Sequence, residues 1–322
     1  MITTVNTTDN RDILTLLLVG IPGLEHVYSW IFASFCFLYI ISFVGNGILF
    51  FIIKTDASLQ TPMYDLVAML ALTDLGLSLV TLPTVLGVFG LKSLKLPVPF
   101  CLLQMFIIHA LSVMESSILL TMAYDRFVAI CSSLRYSSLL TRPLICKLGL
   151  LSVIRGVAVI LPIPLMLHAS TLCKSNVLSH AFCLHPDIMR LLCTQLLANN
   201  IYSIFAVLST MGLDALLITL SYVLILRAVC GLNSTSERYK AFHRCACHIS
   251  VVLLFYIPMI SLSMIHRFGN HKNNFIHVPL AYLHFLLPPA INPILYGVKT
   301  KRIYECLMHR LCFVQIHKVN KP

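Results

Sequence analysis

Seven stretches of this chain carry almost no charge, and each is long enough to cross a lipid bilayer: Val27–Ile53, Pro62–Leu91, Leu96–Ile130, Leu148–Leu167, Leu197–Leu226, Cys245–His266 and Phe275–Val298. A hydrocarbon core about 30 Å thick needs about 20 helical residues at 1.5 Å rise. Inside it no water is available to the backbone, so only helices or a closed barrel can span. The tracts are continuously apolar and lack the short alternating segments of transmembrane strands, which predicts helices. A mean hydropathy of +0.89 with 11% charged residues excludes a soluble globular chain. The expected architecture is an all-α membrane protein, a seven-helix bundle over residues 27–298. A short tail, 1–26, precedes it, and a basic tail, 299–322, with a short amphipathic helix follows.

The basic residues orient the bundle. With the N-terminus outside, 15 Lys and Arg fall in cytoplasmic segments, seven fall outside, and Arg155 lies within a span. This asymmetry predicts an extracellular N-terminus and a cytoplasmic C-terminus. The net charge of +11 is then accounted for by orientation and anionic membrane lipid, with no need of nucleic acid. Disulfides persist on the oxidising face. The layout leaves four of the twelve cysteines there, Cys101, Cys173, Cys183 and Cys193, whose spacing permits three pairings. Asn6-Thr7-Thr8 is a glycosylation sequon on the outer tail, whereas Asn233-Ser234-Thr235 falls inside and reads as a chance match. The apolar run "ILTLLLVGI" near the start loosely resembles a signal-peptide core, but it lacks a basic n-region and a small-residue cleavage site.

Polar residues inside the spans are where function is expected. Asp74 lies 12 residues past Pro62, about 18 Å up the second helix, and Glu115 lies 15 residues before Ile130, about 22 Å up the third. At a shared depth the two carboxylates repel, so one takes a proton or a cation sits between them. Asn46 and serines 112, 116 and 117 offer further oxygens suited to a hard monovalent ion; two separately hydrogen-bonded acids are the plainer alternative. Glu115 and Arg126 are 11 residues apart, which leaves about 20° of rotation after three turns, so both face the bundle interior. Asp125 is the nearest counter-charge to Arg126. Such a pair can hold the base of the bundle closed, although a passive interfacial arginine would also fit. Arg155 and Asp214 are expected to find interior hydrogen bonds, with no partner nameable from the linear sequence.

Several motifs then fall in order along nearly the whole chain. Gly45-Asn46, "LALTDLGLS" with Asp74, "MAYDRFVAIC" with Arg126, "SYVLIL" with Tyr222, and "NPILYGVK" with Asn292, Pro293 and Tyr296 resemble the rhodopsin-like G-protein-coupled receptors. "PMY" at Pro62–Tyr64, "KAFHRCACH" at Lys240–His248 and "FYIP" at Phe255–Pro258 narrow the resemblance to odorant receptors; "LLVGIPGLE" and "HRFG" are similar to the class I, fish-like branch. The resemblance implies disulfides Cys101–Cys183 and Cys173–Cys193 and a sodium-type site at Asp74 and Glu115. It further implies a cytoplasmic switch built from Asp125, Arg126, Tyr222, Asn292, Pro293 and Tyr296. A sodium ion is the one cofactor it suggests. The partners would be a small-molecule odorant and a stimulatory heterotrimeric G protein acting through cAMP.

The ligand is expected between the third, fifth and sixth helices. His109 sits eight residues, about 12 Å, below Cys101 in an otherwise apolar turn; a lone histidine there is also compatible with an ordinary core role. Arg267 caps the sixth helix with Ser263 one turn below, and its guanidinium could clamp a carboxylate bidentately, unless it merely snorkels to the interface. His185-Pro186 after Cys183 rigidifies a segment that could lid the pocket, while Pro186 itself has no N–H to offer a ligand. Asp65 after "PMY" and "CSSLRY" after the third helix depart from the family pattern on the cytoplasmic face, which bears on coupling. "HRCACH" places only His243 and Cys247 on one helix face, too few for zinc. Cys306 and Cys312 are candidate acylation positions. A multi-pass small-solute transporter is the rival reading, yet no internal repeat is visible; an intramembrane enzyme would need a nucleophile with its base or a metal motif.

Overall fold

The computed structural model describes residues 15–20, 25–168, 176–178, 180–192, 197–231, 234–268, 274–300 and 302–309. Seven long helices form the bundle: Tyr28–Thr55, Pro62–Leu91, Val98–Cys131, Arg142–His168, Leu197–Cys230, Thr235–Phe268 and Asn274–Lys299, here the first to the seventh. The fourth, fifth and sixth overrun their apolar tracts by a turn or more at Lys147, Arg227 and Arg244, where the tracts were cut at basic residues. Pro62, Pro99 and Pro143 stand in the first turns, where a missing N–H costs nothing. The third helix is the hub, packing against the second, fourth and fifth, while the sixth leans chiefly on the seventh. The fourth is interrupted at Leu161, before Pro162, and the fifth widens into a π-turn at Leu208–Gly212.

Proline chemistry explains the Gly45-Asn46 pair. Pro293 lies inside the seventh helix and has no N–H for the carbonyl of Pro289, four residues earlier. Asn46 Nδ2 donates to that carbonyl at 2.8 Å and to Ser42 O at 3.0 Å. One residue back, a side chain at Gly45 would place its Cβ 2.8 Å from Pro293 Cγ. Glycine thus admits the proline ring, and asparagine satisfies the carbonyl that the ring orphans.

The apolar run near the start contributes a strand. Thr15–Val19 lies at the centre of a three-stranded sheet, antiparallel to Ser93–Pro97 and parallel to Val177–Leu178. Leu16 and Leu18 face inward and are fully buried, as the period of two requires. Residues 302–309 form a short helix after the seventh span, with Ile303 buried.

Candidate functional site

The outer end of the third helix is stapled by the Cys101–Cys183 disulfide, which closes a separation of 82 residues. Gln104 completes the anchor: its Oε1 accepts from Cys183 N at 3.0 Å, and its Nε2 donates to Val80 O and Thr84 Oγ1, both at 2.9 Å. Phe182 of the same segment packs edge-on against Tyr282 and Phe285, and Tyr282 Oη accepts from Ala181 N. A segment held this way roofs the space below. Cys173, Cys193 and Asn6 lie outside the described residues, as does Cys312.

His109 faces that roof. Its Nε2 accepts from the backbone N–H of His185 at 3.5 Å, and His185 Nε2 shares a 2.8 Å hydrogen bond with Asn199 Oδ1 at the start of the fifth helix. Residues His185–Leu191 are helical with Pro186 in the first turn, where proline preorganises the backbone. Pro186 has no N–H to donate, whereas its neighbour His185 hydrogen-bonds through both backbone and side chain. His284 of the seventh helix is buried within electrostatic reach of His109, with Nδ1 lacking a hydrogen-bond partner among the described residues. Linear reading missed Asn199 and His284 and took His185 only as part of a rigid segment over the pocket; no helix-periodic signal links a loop residue to two spans. Ser263 donates to Met259 Sδ on its own helix at 3.9 Å. The sixth helix continues through Phe268, but the side chain of Arg267 lies outside the described set.

Deeper, Asp74 and Glu115 are both buried, and Glu115 lies within electrostatic reach of Asp74. Asn292 Nδ2 donates to Asp74 Oδ2 at 3.0 Å. Four oxygens, Asp74 Oδ1, Glu115 Oε1, Asn46 Oδ1 and Asn292 Oδ1, are buried without a hydrogen-bond partner among the described residues. The serines offered as further oxygens go elsewhere: Ser112 donates to Ile108 O, Ser116 to Asp214, and Ser117 to Val113 O while accepting from Arg155.

Arg155 and Asp214 prove to be each other's partners. Arg155 Nη1 sits 2.9 Å from Asp214 Oδ2 and donates to Ser117 Oγ at 2.9 Å, while Nη2 donates to Ser209 O at 3.0 Å within the π-turn, where the widened ladder leaves a carbonyl accessible. Ser116 Oγ donates to Asp214 Oδ2 at 2.8 Å and meets Tyr256 Oη at 2.7 Å. This chain of polar groups joins the third, fourth, fifth and sixth helices in mid-bundle. The available clue was that Arg155 and Asp214 are single charges of opposite sign in consecutive spans.

At the lower end, Arg126 Nε is 3.7 Å from Asp125 Oδ2, and its guanidinium also meets Met63 Sδ. Tyr136 Oη donates to Asp125 Oδ1 at 2.7 Å. Burial, and then the Asp125 carboxylate, push the Tyr136 phenol upward, so it remains a donor. Tyr222 Oη and His248 Nδ1 are 2.6 Å apart, and Tyr296 Oη donates to Met122 Sδ at 3.8 Å. Both tyrosines lie in the field of Arg126 without hydrogen-bonding it. Asp65, the departure from pattern, is the hub of a clamp: Lys54 Nζ at 3.0 Å and Arg142 Nε at 3.1 Å meet its two oxygens, tying the first, second and fourth helices.

A roofed helical bundle with a charged pair at its base is a rhodopsin-like architecture, and squid rhodopsin matches it with a TM-score of 0.72 over 90% of this chain and 82% of that one, at 17% identity. That likeness establishes the fold. Residues 35–313 match the profile of the olfactory receptor family. The chain is 50% identical to human olfactory receptor 51G2 over 93% of its length and 95% of that protein, 46% identical to human olfactory receptor 51L1 (91% and 93%), and 47% identical to rat olfactory receptor 51E2 (90% and 90%). The chain belongs to the olfactory receptor family: it is a multi-pass plasma-membrane G-protein-coupled receptor for odorants.

Proposed function

We propose that this receptor binds small carboxylic acids or similarly polar odorants at the outer pocket and activates a stimulatory G protein, raising cAMP. The observation that carries the ligand class is the polar corner at His109, His185 and Asn199 beneath an apolar roof. Arg267, at the outer end of the sixth helix, would supply the counter-charge, while aliphatic and aromatic side chains take the tail. In this reading the amino end is extracellular and the carboxyl end cytoplasmic. The Cys101–Cys183 bond supports that orientation, since such a bond persists on the oxidising side.

Binding favours an arrangement in which the sixth helix swings outward, by differential affinity for two pre-existing states. Arg126 leaves Asp125, and Tyr222 and Tyr296 take up the freed guanidinium. Four buried oxygens without a hydrogen-bond partner among the described residues, on Asp74, Glu115, Asn46 and Asn292, are of the type a small hard cation takes, so sodium would be held by these side chains and would stabilise the resting arrangement. The test is cAMP production in cells given a series of short aliphatic acids, with wild type beside Arg267→Ala and His109→Ala. A loss of acid response in Arg267→Ala at equal surface expression supports the reading. Acid flux into vesicles without any cAMP response would favour a transporter and overturn it.

A further inference from the structure

The seam between the fifth and sixth helices, away from the odorant pocket, contains a cavity of about 300 Å³. Its floor is Ile225, Val229 and Cys245, all buried; its rim is Leu226, Phe242 and Leu253, 43%, 48% and 50% exposed. In a protein of the plasma membrane, the exposure of Leu226 and Leu253, both inside the apolar tracts, is exposure to lipid, with Phe242 just outside them. The hydroxyls in the wall are already engaged, Thr219 with Ala215 O at 2.8 Å and Tyr222 with His248 at 2.6 Å. The groove therefore asks for no polar partner, and its apolar walls gain dispersion contacts from whatever apolar chain fills it.

The lower mouth of the groove is basic. Arg238 precedes Ala241 and Phe242 by three and four residues, which puts it on the same face of the sixth helix, and it is exposed. Arg227 near the end of the fifth helix and Arg238, Lys240 and Arg244 in the first turns of the sixth stand against one acid, Glu237. Hydrocarbon walls ending in a cationic rim match one molecule of the surroundings in both chemistries. We infer that this seam binds an acyl chain of an anionic phospholipid, with the headgroup held at Arg238. The choice of the cytoplasmic leaflet rests on the orientation proposed above; the binding itself does not. The site opens where the fifth and sixth helices part, so its occupant sits in the joint that must change width when the sixth helix moves.

The full chain, reconstituted in nanodiscs of phosphatidylcholine containing a tracer lipid with a photoactivatable acyl tail, provides the test, because both leaflets are then equally available. With phosphatidylserine as tracer, crosslinked peptides should map to 218–229 and 241–253. Labelling there should exceed that by a phosphatidylcholine tracer by roughly fivefold, the equivalent of about 1 kcal/mol for a basic side chain at an anionic headgroup. Arg238→Gln, a surface change, should abolish the preference and keep residual tail labelling. Leu226→Trp, which fills the groove, should remove labelling with both tracers while exposed Leu150 and Ile154 on the fourth helix continue to be labelled. Equal labelling by both lipids, labelling spread evenly over all lipid-facing helices, or displacement by cholesterol alone would overturn the assignment.

Discussion

Arg155 is useful to this protein only while Asp214 is present. Asp214 is almost fully buried, and its carboxylate is met by one guanidinium and one serine. Arg155→Met leaves that acid in an apolar interior, so it should cost about 3–5 kcal/mol, seen as a lower melting temperature in detergent. The double variant Arg155→Met/Asp214→Leu should recover most of that loss, because removing both charges removes the desolvation problem as well. Gly45 and Asn46 have smaller, separable roles. Gly45→Ala drives a methyl into Pro293 and should cost about 1–3 kcal/mol by overpacking. Asn46→Leu strands the Pro289 carbonyl and should cost a similar amount, about 1–3 kcal/mol, for a different reason. Thermal unfolding of each variant checks the pair.

Among the elements, the third helix and the roof it carries decide the pocket. Cys101→Ser should cost about 2–5 kcal/mol, with loss of surface expression as the readout, since the loop it closes is long. Leu18→Ala, at the fully buried position of the strand, should cost about 2–5 kcal/mol and loosen both outer loops, which hydrogen exchange at 93–97 would report. Here the limits of linear reading are clearest. Length and unbroken hydrophobicity made the seven spans legible, and the positions of Asp74, Glu115 and Arg126 followed from helical spacing alone. The strand Thr15–Val19 was not legible, because an apolar run of that length suits several fates and its partners come from distant loops. The same holds for His185 and Asn199: a loop histidine acquires meaning only once the disulfide has fixed where the loop lies. Asp65 departs from the motif, and its place in a clamp was not legible there, since Lys54 and Arg142 meet it only in three dimensions.

At the scale of the whole receptor, the polar groups form three levels: histidines under the roof, carboxylates and the Arg155–Asp214 pair in the middle, and Asp125–Arg126 at the base. Each level is a place where two arrangements can differ in free energy by a few kcal/mol. Asp125→Asn keeps an acceptor for Tyr136 but releases Arg126, so cAMP in the absence of odorant should rise at equal surface expression. Glu115→Gln should make basal signalling insensitive to sodium, where wild type should fall as sodium rises.

The central strand of the outer sheet has both its neighbours downstream in the chain. At a synthesis rate of about 5–20 residues per second, Thr15–Val19 emerges roughly 10–30 s before Val177–Leu178 exists. Ser93–Pro97 follows after roughly 4–16 s and can pair one edge, but the other edge of "TLLLV" stays open until Val177–Leu178 arrives. The outer sheet is therefore completed only when the middle of the polypeptide has been made, and until then one side of its central strand is open to non-native pairing.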